Sequence, residues 1–278
     1  NKLLKQLTTA LVNTYDTQRT DSLKEVISYL TSLDKDTFDQ KDVDSINSMV
    51  QVKMGSELHS LVQSSVDDLT EKIFKFGKRE ILSSSKIRFS FDIPDKEAVN
   101  FLKYFNNFWV QNHYDSYTRD KLAATLNGYF ASNSTLEQVA TDFARDFGQL
   151  TDKGISYFKN LAHITTNRTR SVGQVNGLEK AGVKGYELFN PDPESEICQQ
   201  MNGTFFPIER ALNWRDDFLS LSDPEDIKSK FAWVSQNELG NYFDDSGEMT
   251  VDTEALPDSM VIPPLHGGAC KTTIRAVL

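Results

Sequence analysis

"VIPPLHGGACKTTIRAVL", residues 261–278, is the stretch on which the fold turns. Pro263–Pro264 reads as a stiff, extended approach, and Gly267–Gly268 as a sharp turn. From Thr272 to Val277 the chain is rich in the β-branched residues of a strand. A C-terminus usually frays, but this one is patterned to fold back and needs a sheet to join. His266 and Cys270 would then lie at the turn, beside whatever the strand pairs with.

Upstream, "GYELFN" (185–190) reads as a strand followed by the turn "PDPES" (191–195), and "GTFF" (203–206) as further extended chain. The tail is expected beside both segments, which brings His266 and Cys270 toward Cys198. Before them the chain reads as helix. Leu3, Leu4, Leu7, Ala10 and Leu11, and then Leu23, Val26, Ile27 and Leu30, recur at three-and-four spacing. Leu58, Leu61, Val62, Leu69, Ile73 and Phe76 continue the pattern. Ile87, Phe89 and Phe91 alternate as a strand or extended connector. Ser134 and Glu137 have the spacing of a capping box, with the apolar stripe Leu136, Val139, Ala140, Phe143, Ala144, Phe147 behind them and Gly148 near the expected end. A further helix, 155–180, carries the small residues Ala162, Thr166, Thr169, Gly173 and Gly177, a pattern that allows close helix approach. Gly182 is placed as its C-cap.

The fold class expected is therefore α+β: a helical part over residues 1–150, then a small α+β domain with a short sheet over 151–278. Residues 215–258 form an acidic insertion in that second domain, with 12 Asp and Glu against Arg215, Lys228 and Lys230. They account for most of a net charge of -10, from 40 acidic and 30 basic residues. That balance argues against a dedicated nucleic-acid binder, since phosphate neutralisation dominates non-specific affinity. No apolar run approaches a membrane span, so no membrane partner is expected. Two cysteines exclude a disulfide scaffold and agree with an intracellular origin. The first residues are not patterned as a signal peptide, and further residues are expected before Asn1 because no initiator Met is present.

Nucleotide-binding, nucleophile-elbow and zincin motifs are lacking. His59, His113 and His163 are isolated in helical contexts, and Asp216–Asp217 specifies nothing without a pocket. "YFDDSGEMT" (242–250) lacks the acidic alternation of a calcium loop and reads as solvated chain. The remaining candidates are Cys198, His266 and Cys270. Thiolate and imidazole suit zinc, with Asp192, Glu196 or water as a fourth ligand. The alternative is a pair of inert buried thiols behaving as small hydrophobes, with His266 bonded to the turn backbone.

"ITTNRTRSVGQVNGLEKAGVKGYELFNPDPESEICQQMNGTFFPI" (164–208), followed by "PPLHGGACKTTI" (263–274), resembles the phage Mu F-like family of minor head proteins, the head morphogenesis family. The parts that carry the resemblance are Thr166–Arg170, Ala181–Lys184, Cys198–Phe206 and Pro263–Cys270, in the family's order, and the resemblance covers residues 155–278. Three features depart from the family pattern. Ser195 stands where a first cysteine is common, one cysteine follows His266 where two are usual, and Lys271 replaces an arginine.

The resemblance implies a non-enzymatic minor capsid protein that associates with the portal protein during procapsid assembly and supports DNA packaging or delivery. If the family's cysteines and histidine bind metal, these departures leave a depleted set here, Cys198, His266 and Cys270, for which zinc is the candidate cofactor. Scaffold or major capsid protein and packaged DNA are further implied partners. The expected location is the virion head or procapsid, reached from the host cytoplasm. The alternatives are a toxin-like effector, as in polyproteins that append an enzymatic domain, and a metal-dependent nucleic-acid-binding module. The second would use Lys153, Lys159, Arg168, Arg170, Lys180 and Lys184.

Overall fold

A computed structural model describes residues 2–34, 38–112, 116–132 and 134–277. Helices α1 (Lys2–Ser32), α2 (Gln40–Gln51), α3 (Leu58–Ser84), α4 (Ile93–Gln111), α5 (Ser116–Ala131) and α6 (Leu136–Ala181) precede the sheet. Strand β1 (Gly185–Phe189), α7 (Glu196–Gln200), β2 (Phe205–Pro207), α8 (Ile208–Leu219), the single turn α9 (Ile227–Lys230) and β3 (Thr273–Val277) follow. The class is α+β, helical first and with a short sheet toward the C-terminus.

The chain divides into two compact units that are not contiguous in sequence. One comprises residues 1–4, 67–106 and 162–278, the other 5–66 and 107–161. The divisions fall inside α1, α3, α4 and α6, and position 150/151 lies in the interior of α6.

Helix α6 runs unbroken through Gly148, where two helices were expected. An interior glycine weakens a helix by about 1 kcal/mol against alanine but does not end it. The polar stretch after it is still held, because the Thr151 hydroxyl donates to the Phe147 carbonyl at 2.7 Å. Gly154 has its own reason, since a Cβ there would lie 2.0 Å from the Tyr15 hydroxyl. Tyr15 in turn donates to the Thr151 carbonyl at 2.7 Å and meets Phe158 at 5.1 Å between ring centroids. The helix begins one residue later than its cap was read. Thr135 and Gln138 form the reciprocal box, at 3.0 and 3.3 Å, in place of Ser134 and Glu137. The serine hydroxyl lies instead 2.6 Å from that of Ser132. Residues 87–91 are an extended connector, unpaired in any sheet.

In the first unit α3 and α6 pack backbone on backbone. A Cβ on Gly77 would lie 2.2 Å from the Arg170 carbonyl oxygen, and one on Gly173 2.2 Å from that of Phe74. A Cβ on Gly177 would lie 2.9 Å from Cβ of Ile81 and 3.0 Å from the Lys78 carbonyl oxygen. Beside this crossing, Lys78 and Asp95 are 2% and 1% exposed and form an ion pair, with Asn176 donating to Asp95 at 3.0 Å. The Asp92 amide also donates to Asp95, at 2.9 Å.

The sheet has the order β2-β1-β3, antiparallel throughout. Tyr186 is opposite Phe206 on one side and Ala276 on the other. The tail thus returns as expected beside "GYELFN", but "GTFF" lies on the far side of β1 and does not touch β3. Gly182 ends α6 with φ 62 and its amide on the Glu179 carbonyl, in the left-handed conformation that a C-terminal cap needs.

The glycines make opposite predictions. Gly173→Val drives side-chain atoms into the α3 backbone and is expected to cost roughly 3 kcal/mol. Gly148→Ala, with nothing within 4 Å of the new Cβ, is expected to stabilise by about 0.5–1 kcal/mol. Urea unfolding of the two variants checks both signs. A second prediction concerns acid. Burial raises the pKa of Asp95, but its bonds to Lys78, Asp92 and Asn176 outweigh burial and hold it below the usual carboxylate value. A depressed folded pKa contributes stability above the unfolded value, about 3.9, that is lost as pH falls. Asp95→Asn, which strands the buried ammonium, should cost on the order of 3 kcal/mol at neutral pH and flatten the acid limb of a stability–pH curve.

Candidate metal centre

The residues that bring chemistry to one place lie on three segments. Ser195 caps the short helix α7, its hydroxyl accepting from the Cys198 amide at 3.4 Å. That sets Cys198 in the first turn, buried, with its sulfur pointing at the tail. The tail passes it twice, through the loop that carries His266 and then through Cys270 as β3 approaches. Pro263–Pro264 is a cis peptide in this loop.

The chain bends at residues 266–268 as expected, with neither Gly267 nor Gly268 at a positive φ. They are needed for close approach. A Cβ on Gly267 would lie 2.7 Å from the Trp233 ring, and one on Gly268 3.1 Å from Nδ1 of His266. Trp233 also donates from Nε1 to the Pro264 carbonyl at 3.2 Å, so it clamps the loop. The Gly268 amide donates to Nδ1 of His266 at 3.1 Å, leaving Nε2 as the ring's other nitrogen.

Three ligand atoms, from Cys198, His266 and Cys270, all lie within 4.8 Å of one another. Among the described residues these are the cysteine, histidine and acidic side chains that group tightly enough to hold a metal ion. The two sulfurs are 3.8 Å apart, although 72 positions separate the cysteines. Both thiols are free. A disulfide would require about 2.05 Å, whereas two thiolates on one tetrahedral zinc, each at about 2.3 Å, stand about 3.8 Å apart. The arrangement therefore fits a thiolate–imidazole metal site with three protein ligands.

The hydrogen bonds around the sulfurs favour ionisation of one of them. Cys270, then His266, Ser195 and Thr272 bond to Cys198 against its burial, and hold that thiol well below the ordinary range. The Thr272 hydroxyl donates to its sulfur at 3.2 Å. Cys270, which keeps its proton and donates it in a hydrogen bond to the Cys198 sulfur, is pushed up by that bond and by burial. The pair thus holds one proton more firmly than two.

Cys198 and half-buried His266 border an open cleft of about 230 Å³, with Asn190, Asp192, Glu194 and Lys271 also on its wall. Lys271 pairs with Glu194 across it. Neither proposed fourth ligand joins the group. Asp192 stops at the cleft wall, and Glu196 accepts from Gln236 at 2.8 Å.

The second layer was not read from the sequence. Asn167, on α6, donates to the Cys270 carbonyl at 2.6 Å, and Gln174, two turns on, donates to Thr273 Oγ1 at 2.8 Å. Asn190 reaches Thr272 at 3.3 Å. Asn167 falls within the quoted "TNRTR" stretch, but spacing along a helix gives no sign of a partner 103 positions away.

Other candidates fall elsewhere. His59 and His163 sit on α3 and α6 in different units, and burial lowers the pKa of His163. His113 lies outside the described residues. In the 242–250 loop Asp244 accepts from Ser246 and from the Glu248 amide, which closes a turn without a ligand. Of the basic set, Arg170 is held by Glu80 at 2.6 and 2.8 Å, and Lys180 is 3.8 Å from Asp92.

No family model, no curated protein and no solved structure matches this chain.

Asn167→Ala should free the Cys270 carbonyl and cost about 1 kcal/mol, the worth of one hydrogen bond. Hydrogen exchange should show faster opening at residues 266–273, with the crossing of α3 and α6 unchanged.

Proposed function

We propose that this chain is a phage minor head protein, a non-enzymatic component that joins the portal during procapsid assembly. The observation that carries the reading is the convergence of its four resembling stretches. Thr166–Arg170 supplies the helix face that holds the tail. Ala181–Lys184 turns the chain into β1. Cys198–Phe206 supplies a ligand and β2. Pro263–Cys270 brings the remaining two ligands. Residues far apart in sequence serve one structural end, the closure of a small terminal fold around its own tail.

Zinc is the cofactor of this reading, held by Cys198, His266 and Cys270 as a structural clasp. When bound it replaces the shared thiol proton and ties the tail to α7. The protein should purify with about one zinc per chain. Chelation, or Cys198→Ala, should then lower stability by well over the 1–2 kcal/mol expected for a merely buried small side chain.

The assembly role is tested by co-expressing the chain with the portal protein of the genome that encodes it and recovering the complex through a tag on the portal. Mass spectrometry of purified procapsids should also find the chain in low copy. Absence from both would overturn the assignment, whatever the metal content.

A further inference from the structure

In "TNRTR" (166–170) Thr166 is buried with its hydroxyl unpartnered, and three of the other four side chains make polar contacts. Asn167 holds Cys270, the Thr169 hydroxyl accepts from Asn106 at 3.3 Å, and Arg170 holds Glu80. Arg168 is the exception. Its guanidinium lies over the rings of Phe105 and Phe218, at 5.6 and 5.8 Å, and among the described residues it has no carboxylate within ion-pair distance. Part of the residue stays open to solvent, yet enough protein surrounds the charge that burial pushes its pKa down to about 10. It remains a cation at neutral pH. A cation over two ring faces recovers part of its lost hydration, but among the described residues its N–H donors have no protein acceptor.

The space next to it is shaped for one. Arg168, Trp214, Phe231, Trp233, Ser259 and Pro264 border a narrow pocket with room of about 10 Å³, roughly one water-sized centre. Ser259 is 5% exposed and its Oγ has no hydrogen-bond partner. A cation with free donors and a buried hydroxyl that can turn its proton inward share a pocket whose other walls are apolar. Apolar walls of that kind favour a weakly hydrated, singly charged guest over a strongly hydrated one.

We propose that Arg168 and Ser259 form a binding site for a monatomic anion of halide size. The pocket lies where Trp233 meets Pro264 of the tail loop, so occupancy would add to the stability of the tail closure without touching the cysteine–histidine group. The site does not depend on the assembly role or on zinc.

The test is thermal unfolding of the full chain at fixed ionic strength, with gluconate replaced stepwise by bromide. The wild-type midpoint should rise by about 2 °C or more as the site fills. Arg168→Gln should remove the dependence, and Ser259→Ala should weaken it. An equal midpoint in bromide and gluconate, or the same gain in Arg168→Gln, would overturn the proposal. So would acetate protecting as well as bromide, because a carboxylate does not fit a one-atom site. If Arg168→Gln does not fold, crystals of the wild-type chain grown in bromide decide. Anomalous scattering between Arg168 and Ser259 supports the site, and its absence there removes it.

Discussion

The crossing of α3 and α6 is the constraint from which the rest of the first unit follows. With carbonyl oxygens of one helix where the β-carbons of the other would stand, the two backbones have a single depth and register available. Once that is set, side chains next to the glycines meet partners of fixed identity. Asn106 bridges Thr70 and Thr169, and Asn176 joins the buried Lys78–Asp95 pair. A buried ion pair adds little net stability over an apolar pair of equal shape, but a misplaced one is strongly unfavourable. The pair therefore penalises every register of the helices but one, and the glycines make that register reachable.

The same helix carries the constraint outward. Asn167 and Gln174 are seven residues, about two turns, apart on one face of α6, and both bind the returning tail. The position of Cys270 is thus inherited from the crossing, while that of Cys198 comes from the cap of α7 and the pairing of β1. Two independent scaffolds place their sulfurs 3.8 Å apart. The hydrogen bond between the sulfurs favours the thiolate at Cys198 and the thiol at Cys270. A metal bound there would take the place of the remaining thiol proton, since metal ligation requires deprotonated sulfur.

Much of this was legible in the sequence for a simple reason: backbone demands leave local marks. The stripe Gly173–Gly177, the cap Gly182, the strand "GYELFN" and the β-branched tail each state a conformational need at the residue that has it. Gly148 shows the limit of such marks. A glycine that costs a helix about 1 kcal/mol is outweighed when residues on both sides, Phe147 and Phe158 among them, are buried. The cap slipped by one residue because Ser134 and Thr135 carry the same chemistry, and only packing chooses between them. Gly267 and Gly268 sit in the bend that was read for them, but they also make room for Trp233 and the His266 ring, partners that sequence spacing cannot name. Asn167 and Arg168 were unreadable in the same way, since a polar residue on a helix looks alike whether it faces solvent or holds a strand 100 residues on.

The acidic stretch 215–258 shows why a chain of net charge -10 can leave a guanidinium without a carboxylate. Its acids are used locally. Asp223 accepts from the Glu225 amide, Glu238 from Ser235 and Asp244 from Ser246, so each closes its own turn. Asp216 faces Arg215, Glu225 faces Lys228 and Asp258 lies 3.6 Å from Arg210. A segment with little regular structure needs these short-range acceptors, because its amides have no ladder to join. Carboxylates held in that way are set by the turn they cap and cannot also reach into a pocket walled by Trp214 and Phe231. Formal charge counts therefore say little about which cations in this fold are neutralised, and Arg168 lies where aromatic packing, not charge, determined the neighbours.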